Sequence, residues 1–546
     1  MSSTRIHRAS HKVHVPSVDL PTYIFSNSIK HRKEPQYFDA DDPSVNFSLE
    51  QAQIWVKRWA KGIQDFGLKP NEKIMLFSGN SVYFPIMLWG SVDELANQML
   101  DSDTALLLAD PALLSNAFRA ADKAGLARSK VLVFSPLGDM NSYNARTWVS
   151  LWPSEDEVKH WDWRRLRTKE QAQSATAVIN YSSGTTGLPK GVEISHYNMV
   201  ANAAQVAFKR SLVGNSASGR ERKERIDISG ERWLAPLPMF HAYGQSYYCT
   251  TAAIIGAKVF IMPKYNLEKY LLYLDIYRIT FLASVPTLMV SLAKHPRASS
   301  YNLKAIEAVT TGSAPLNADI GKLVEEIYLR PGVQNASSAT GFAPDDRDDG
   351  RSVGHLNPNM SAKIVPQPDF GFESDGSIPY TIGEIWLAGP NIMMGYYNRP
   401  GQTASTIVLE DGERWLRTGD IGYIDDEGRM YIVDRMKELI KVKGLQVAPA
   451  EIEQTLLTHT GIQDAAVVGE RRRDGEYPKA FVVAQNPEHP PTENEIQKFI
   501  ADRLSKHKWL TAGVEFLDAI PRTASGKVMR RMLPGQTPQG GVKAKL

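Results

Sequence analysis

The sequence predicts an α/β protein with a large multi-layered N-terminal domain and a small α+β C-terminal domain. Three observations lead there. The chain has 546 residues, more than one hydrophobic core supports, so two or more domains are expected. Helical and strand-like apolar patterns alternate through most of the chain, the signature of stacked helix and sheet layers. At Asp434-Arg435-Met436-Lys437 the texture changes, and the remainder of the chain reads as a separate small unit. The resulting boundaries are 1–436 and 437–533, with a flexible tail at 534–546.

Leu49 to Gln64 sets Ile54, Trp55, Trp59 and Ile63 at helical spacing, and Glu72 to Phe77 reads as a strand. Ala175 to Asn180 is mostly apolar and reads as a strand running into a polar loop. Pro236 to Ala257 carries no Asp, Glu, Lys or Arg, but its prolines, His241 and small polar residues suit a buried loop and helix, not a membrane span. Lys258 to Met262 predicts a strand and Leu267 to Tyr277 a helix. From Ile385 to Tyr431 short strands alternate with Gly/Asp turns, and Asp425-Asp426-Glu427-Gly428 predicts a hairpin between Gly422–Ile424 and Arg429–Val433. The small unit predicts a helix at Ala450–Leu457, strands at Ala465–Val468 and Ala480–Val483, and a helix at Glu493–Ser505.

Composition narrows the partners. Lys+Arg is 63 and Asp+Glu 60, a formal +3, so bulk charge implies neither nucleic acid nor an anionic membrane. The basic clusters Arg220 to Arg225 and Arg471-Arg472-Arg473 read as solvated loops. A single cysteine, Cys249, excludes an internal disulfide and a cysteine-rich zinc site; its apolar flanks predict a core position and reducing surroundings. The first residues hold no apolar segment of the secretory kind.

Residues 181–191 read Tyr-Ser-Ser-Gly-Thr-Thr-Gly-Leu-Pro-Lys-Gly. Glycines let successive backbone N–H groups point inward to cradle phosphate oxygens. The hydroxyls of Ser182, Ser183, Thr185 and Thr186 add donors, and Lys190 adds a cation. Leu188-Pro189 separates Gly187 from Lys190 and no Ser/Thr follows the lysine, so this is not the Walker pattern.

The run resembles the phosphate loop of AMP-forming acyl-CoA synthetases, the adenylate-forming superfamily that includes 4-coumarate–CoA ligases and luciferases. The likeness extends roughly from Phe47 to Arg531. It implies an adenylation domain followed by a mobile C-terminal domain. It also implies ATP-dependent activation of a carboxylic acid to an acyl-adenylate with pyrophosphate release, then transfer to coenzyme A. ATP, Mg2+ and coenzyme A are the expected co-reactants. ATP/AMP binding falls to Ser182, Ser183, Gly184, Thr185, Thr186, Gly187 and Lys190. Trp415 to Asp420 resembles the ribose motif, where the Asp420 carboxylate accepts both hydroxyls, and Arg435 matches a ribose or phosphate contact.

Lys437 to Glu451 is similar to the family's hinge segment. Lys437 matches the hinge itself. Lys441 and Gln446, in catalytic roles, and Lys443 and Gly444, in coenzyme A binding, match positions that face the site after rotation. Pro521 to Lys527 matches the segment whose lysine, here Lys527, stabilises the adenylation transition state. Pro236 to Gly244 resembles the loop that sets His241 near the acyl carboxylate; Tyr243 and Gly312 match acyl-pocket positions, and His196 is expected to be structural.

Two departures stand out. After Val333 the chain lacks the Thr-Glu pair that contacts the α-phosphate and helps hold magnesium, and Thr340 is assigned no role. At Leu88 to Ala96 the family's strand and Asn-Pro turn are missing. Both have the form of in-frame omissions. Residue by residue no metal ligand is assigned, and two alternatives stay open: a nucleotide-binding pseudoenzyme, and an acyl-AMP ligase serving a carrier protein. The chain ends Ala544-Lys545-Leu546, close to a peroxisomal address read by an import receptor, so a peroxisomal location is expected, otherwise a cytoplasmic one.

Overall fold

The computed structural model describes residues 5–26, 32–90, 96–139, 143–182, 189–212, 217–314, 316, 318–328, 333–335, 338–346, 348–367, 379–410, 412–442, 445–472, 475–523 and 526–536. Its frame is a seven-stranded sheet. Strands Val333–Asn335, Ala308–Thr311, Phe281–Ser284, Arg232–Ala235, Lys258–Ile261 and Pro35–Asp39 lie side by side and parallel. Antiparallel Asn46–Ser48 closes the edge. Trp233, Leu234, Ala235, Val259 and Leu282 are fully buried along it, the near-continuous apolar run that a parallel sheet covered on both faces requires.

The parallel strands Lys73–Phe77, Thr104–Ala109 and Val131–Val133 form a second sheet. Helix Leu49–Asp65 begins at a capping box, Ser48 and Gln51 satisfying each other's backbone N–H groups. It buries Ala52, Val56 and Trp59. Trp59 meets Trp148 at 5.9 Å, and Trp148 meets Phe134 at 5.0 Å and Trp152 at 4.9 Å. The Trp148 indole N–H donates to the Ser135 carbonyl at 2.8 Å, so its one polar atom is satisfied in the core.

An eight-stranded sheet, antiparallel throughout, carries Glu413–Ile424 and Arg429–Arg435 as the predicted hairpin. Beyond it, strands Ile462–Arg472, Gly475–Ala484 and Val514–Phe516 and helices Pro449–Leu457 and Glu493–Ala501 enclose a separate core of Ile452, Leu456, Val467, Val482, Ile496 and Ile500. The fold is therefore a large N-terminal domain of mixed helices and sheets plus a smaller C-terminal one.

Several expectations need correction. Arg220 to Arg225 lie not in a loop but on helix Ala217–Ser229, where Arg225 pairs with Glu307 at 2.9 Å. Arg471 and Arg472 end strand Ile462–Arg472, held by its antiparallel ladder. The last helix stops at Ala501, where the Arg503 N–H donates to the Ile500 carbonyl at 3.1 Å in a tighter turn. Pro236–Ala257 is, as expected, a loop followed by helical turns, including π-helical Gln245–Thr251, and Cys249 is buried there in the core. No described helix is long and apolar enough to cross a membrane.

Replacing the fully buried Trp148 with alanine removes that aromatic centre. It is expected to destabilise the protein by about 3–5 kcal/mol, read as a fall in the urea denaturation midpoint.

Candidate functional site

The carboxyl ends of the central parallel strands open into a cavity of about 1260 Å3, the position where such sheets expose ligand-binding loops. Loop residues after Arg232–Ala235 and after Ala308–Thr311 reach it, namely His241, Tyr243, Gly312 and Ser313. Asp420 and Arg435 line it from the antiparallel hairpin, and Gln446, Arg522, Gly526 and Lys527 from the small domain. The cavity thus has walls from both domains.

Asp420 stands directly opposite Arg435 in the hairpin ladder, and Oδ1 meets the arginine Nε at 2.9 Å. The preceding Gly419 has φ 71°, a left-handed turn that glycine adopts at no steric cost. Its N–H donates to Glu384 at 3.2 Å, and Thr418 Oγ1 accepts the Asp420 N–H at 3.0 Å. Burial pushes the Asp420 carboxyl up, while Arg435 and Lys527 pull it back down.

Lys527 follows a turn closed by the Thr523 N–H donating to the Lys527 carbonyl at 2.8 Å. Arg522 braces that turn, pairing with Asp464 at 2.6 Å. Its guanidinium also donates to the Gly526 carbonyl. The Lys527 ammonium lies 3.8 Å from Glu438, which also pairs with Arg530. Burial lowers the lysine's pKa first and Arg435 second, while Glu438 and Asp420 restrain the fall. Arg530 pairs in turn with Glu453 at 2.6 Å.

His241 caps a short helical turn. The Tyr243 N–H donates to its Nδ1 at 3.2 Å, which leaves Nε2 to carry the proton of the neutral ring. Burial lowers its pKa, favouring that neutral form. Gly244 packs so closely that a Cβ would sit 2.3 Å from the Pro238 carbonyl oxygen, which fixes the loop's path. Tyr243 donates its hydroxyl to the Thr310 carbonyl at 3.0 Å.

The expected site residues divide by position. Lys527, His241, Gln446, Asp420, Arg435, Tyr243 and Gly312 line the one cavity. Lys441 is exposed on Ile440–Val442 and is not among the residues lining it. Lys437 is exposed in the turn after Arg429–Arg435. Ser182 and His241 line a smaller adjoining cavity of about 260 Å3. Lys190, half-buried, holds its ammonium 5.2 Å from the Tyr396 ring centre. Ser183, Gly184, Thr185, Thr186, Gly187, Lys443, Gly444 and the terminal Ala544-Lys545-Leu546 lie outside the described residues. His196 accepts the Leu20 N–H at 3.1 Å, and burial takes its pKa to about 4, a neutral structural histidine.

Sequence reasoning passed over three features. Glu438, next to Lys437 in the hinge segment, pairs with Lys527 and Arg530. Asn180 and Gln245 exchange amide hydrogen bonds at 3.0 and 3.2 Å beside the cavity. Thr340 is 1% exposed and lines the cavity although no role was expected of it. Only Glu438 carried a signal, its place within a matched charged run. Among the described residues no group of three His, Cys, Asp or Glu gathers to hold a metal.

A family model described as AMP-binding enzyme matches residues 27–397, and one described as AMP-binding enzyme C-terminal domain matches residues 451–527. The chain is 31% identical over 550 residues to acyl-CoA ligase azaF of Aspergillus niger, covering 95% of this chain and 98% of the relative. It is likewise 31% identical over 549 residues to peroxisomal OPC-8:0-CoA ligase 1 of Arabidopsis thaliana, covering 95% and 93%. Its fold resembles the crystal structure of the anthranilate CoA ligase AuaEII in complex with anthranoyl-AMP, with TM-score 0.77 and 18% identity over 94% and 96% of the two chains.

The Asp420–Arg435 pair is testable by a double-mutant cycle. Asp420→Asn and Arg435→Met are expected to show a coupling of about 1 kcal/mol in chemical denaturation, the upper end for a partly exposed pair.

Proposed function

The chain belongs to the AMP-binding enzyme family, and from that premise we propose how its residues work as an acid–thiol ligase. It activates a carboxylic acid with ATP and passes the acyl group to coenzyme A. The observation that carries the residue assignment is the shared cavity: Lys527 comes from the small domain, and His241 and Asp420 from the large one.

In the first step a carboxylate oxygen attacks the α-phosphorus of ATP. The bond to the β-phosphate bridging oxygen breaks, pyrophosphate leaves, and an acyl-adenylate remains. Negative charge builds on the α-phosphoryl oxygens. A partly desolvated cation stabilises that charge more than one in bulk solvent. Lys527 takes this part; its depressed pKa reflects the same desolvation. Asp420 accepts from the ribose hydroxyls and is oriented by Arg435 at 2.9 Å. The neutral His241 donates from Nε2 toward the acyl carboxylate. The loop from Ser182 to Lys190 holds the phosphates in this reading.

In the second step the thiolate attacks the acyl carbon, and AMP departs as the carbon–oxygen bond to phosphate breaks. Before that attack the small domain turns about Lys437, which carries Lys527 away from Asp420 and Arg435 and brings Lys441, Lys443 and Gly444 to face the adenylate. Gln446, already at the cavity wall, serves both arrangements.

Magnesium enters with the ATP phosphates in this reading. The described residues do not fit a protein-held ion: the Thr-Glu pair is missing and no acidic cluster among them replaces it. A peroxisomal location with capture of Ala544-Lys545-Leu546 by an import receptor is part of the proposal, supported by the name of the Arabidopsis relative.

The test is pyrophosphate release from ATP and magnesium with pooled carboxylic acids. Release is expected to require an acid, and an acyl-CoA product to require coenzyme A. Lys527→Ala should slow release by about two to three orders of magnitude, the cost of roughly 3–4 kcal/mol of transition-state stabilisation. Acid-independent release, or an unimpaired variant, would refute the assignment. Lys441→Ala is expected to leave first-turnover pyrophosphate release near normal while slowing thioester formation, read by separate single-turnover assays.

A further inference from the structure

The end of the cavity beyond Tyr243 is cationic. Its wall can be followed ring by ring: Tyr243 meets Tyr247 at 5.0 Å and Tyr247 stacks on Phe281 at 5.9 Å. The Arg210 guanidinium covers Phe281 at 4.1 Å. Lys209 and Arg222 line the same end. Both are held in place by uncharged carbonyls. Lys209 donates to His355 at 2.7 Å and also to Gly341. Arg222 donates to the Pro344 carbonyl at 2.9 Å.

The acids nearest these cations stand outside the cavity wall. Glu231, which pairs with Arg210, and Glu307, Asp345 and Asp346 are not among the residues lining it. Burial lowers Arg222 and takes Lys209 to about 7, the mark of cations held against a desolvation cost. The Arg222 Nε–H is buried without a hydrogen-bond partner. A buried donor left unmade is costly, and a guanidinium is shaped to receive a carboxylate.

We propose that Arg222, with Lys209 and Arg210 beside it, forms a distal anion-recognition end of the acyl pocket, selecting acids that carry a second carboxylate remote from the reacting one. The reacting carboxylate lies at His241 and Lys527, the aromatic wall of Tyr243, Tyr247 and Phe281 covers the apolar middle, and the second carboxylate meets Arg222. A plain alkanoate would leave the buried Arg222 Nε–H without a partner. This rests on the acid-activating reading of the cavity.

The test compares octanoate with octanedioate, and each length from six to twelve carbons, in ATP-dependent pyrophosphate release. Direct binding of the same acids is measured by calorimetry, which needs no turnover. The diacid is expected to exceed the monoacid of its best length by about tenfold or more in kcat/KM and in affinity, the range of one hydrogen bond to a charged group. Arg222→Met should remove that preference, and Arg222→Lys should restore part of it. Equal or better handling of octanoate, or a preference that survives Arg222→Met, would overturn the proposal. Tighter diacid binding lost in Arg222→Met, but with no pyrophosphate released from any acid, would support the anion end and count instead against the ligase reading.

Discussion

One register holds the site together: Asp420 faces Arg435 across the two long strands of the hairpin. Side chains alternate faces along a strand, so a slip of one residue would put the two on opposite faces of the sheet. The hairpin turn Asp425 to Gly428 guards against that slip. Asp425 accepts the Arg429 backbone N–H at 2.8 Å and its guanidinium at 2.9 Å. On the other side of the pair the register also sets where the chain leaves the sheet, since Met436 donates to the Gly419 carbonyl at 2.9 Å before the turn at Lys437. The carboxylate proposed for the ribose and the proposed hinge are therefore fixed by the same ladder.

From that hairpin the electrostatics spread into the small domain. Glu438, three residues past Arg435, holds Lys527 and Arg530, and Arg530 reaches Glu453. The arrangement places Lys527 beside Asp420 without giving it a full-strength partner, since 3.8 Å to Glu438 is an ion-pair contact and not a close hydrogen bond. A lysine so held is both positioned and available to a developing negative charge. The turn before it rests on the large domain, where a Cβ on Gly526 would lie 3.1 Å from Thr287 Oγ1.

Much of this was legible in the sequence, for identifiable reasons. Helix Leu49–Asp65 announced itself through Trp55, Trp59 and their spacing, and the hairpin through Asp425 to Gly428 between apolar strands. Asp420, His241 and Lys527 were picked out by matched motifs, and the fold brings them to one cavity. Long-range choices were not legible. Helix Ala217–Ser229 is polar on all sides and so has no apolar stripe to betray it; contacts such as Arg225 with Glu307 and Arg222 with Pro344 hold it. Thr340 and the Lys209 carbonyl cluster depend on strands far apart in sequence, which no local pattern encodes.

The central claim is that one arrangement of the small domain makes the adenylate and a second makes the thioester. Thr287→Cys with Gly526→Cys would tether the arrangement seen here; the native Cys249 is buried and offers no competing thiol. A cysteine at φ 82° costs about 1–2 kcal/mol, small enough to test. The measurement is acyl-CoA formed per pyrophosphate released in one turnover, oxidised against reduced. The account predicts pyrophosphate release in both states and acyl-CoA only after reduction; equal acyl-CoA yields in the oxidised, cross-linked protein would contradict it.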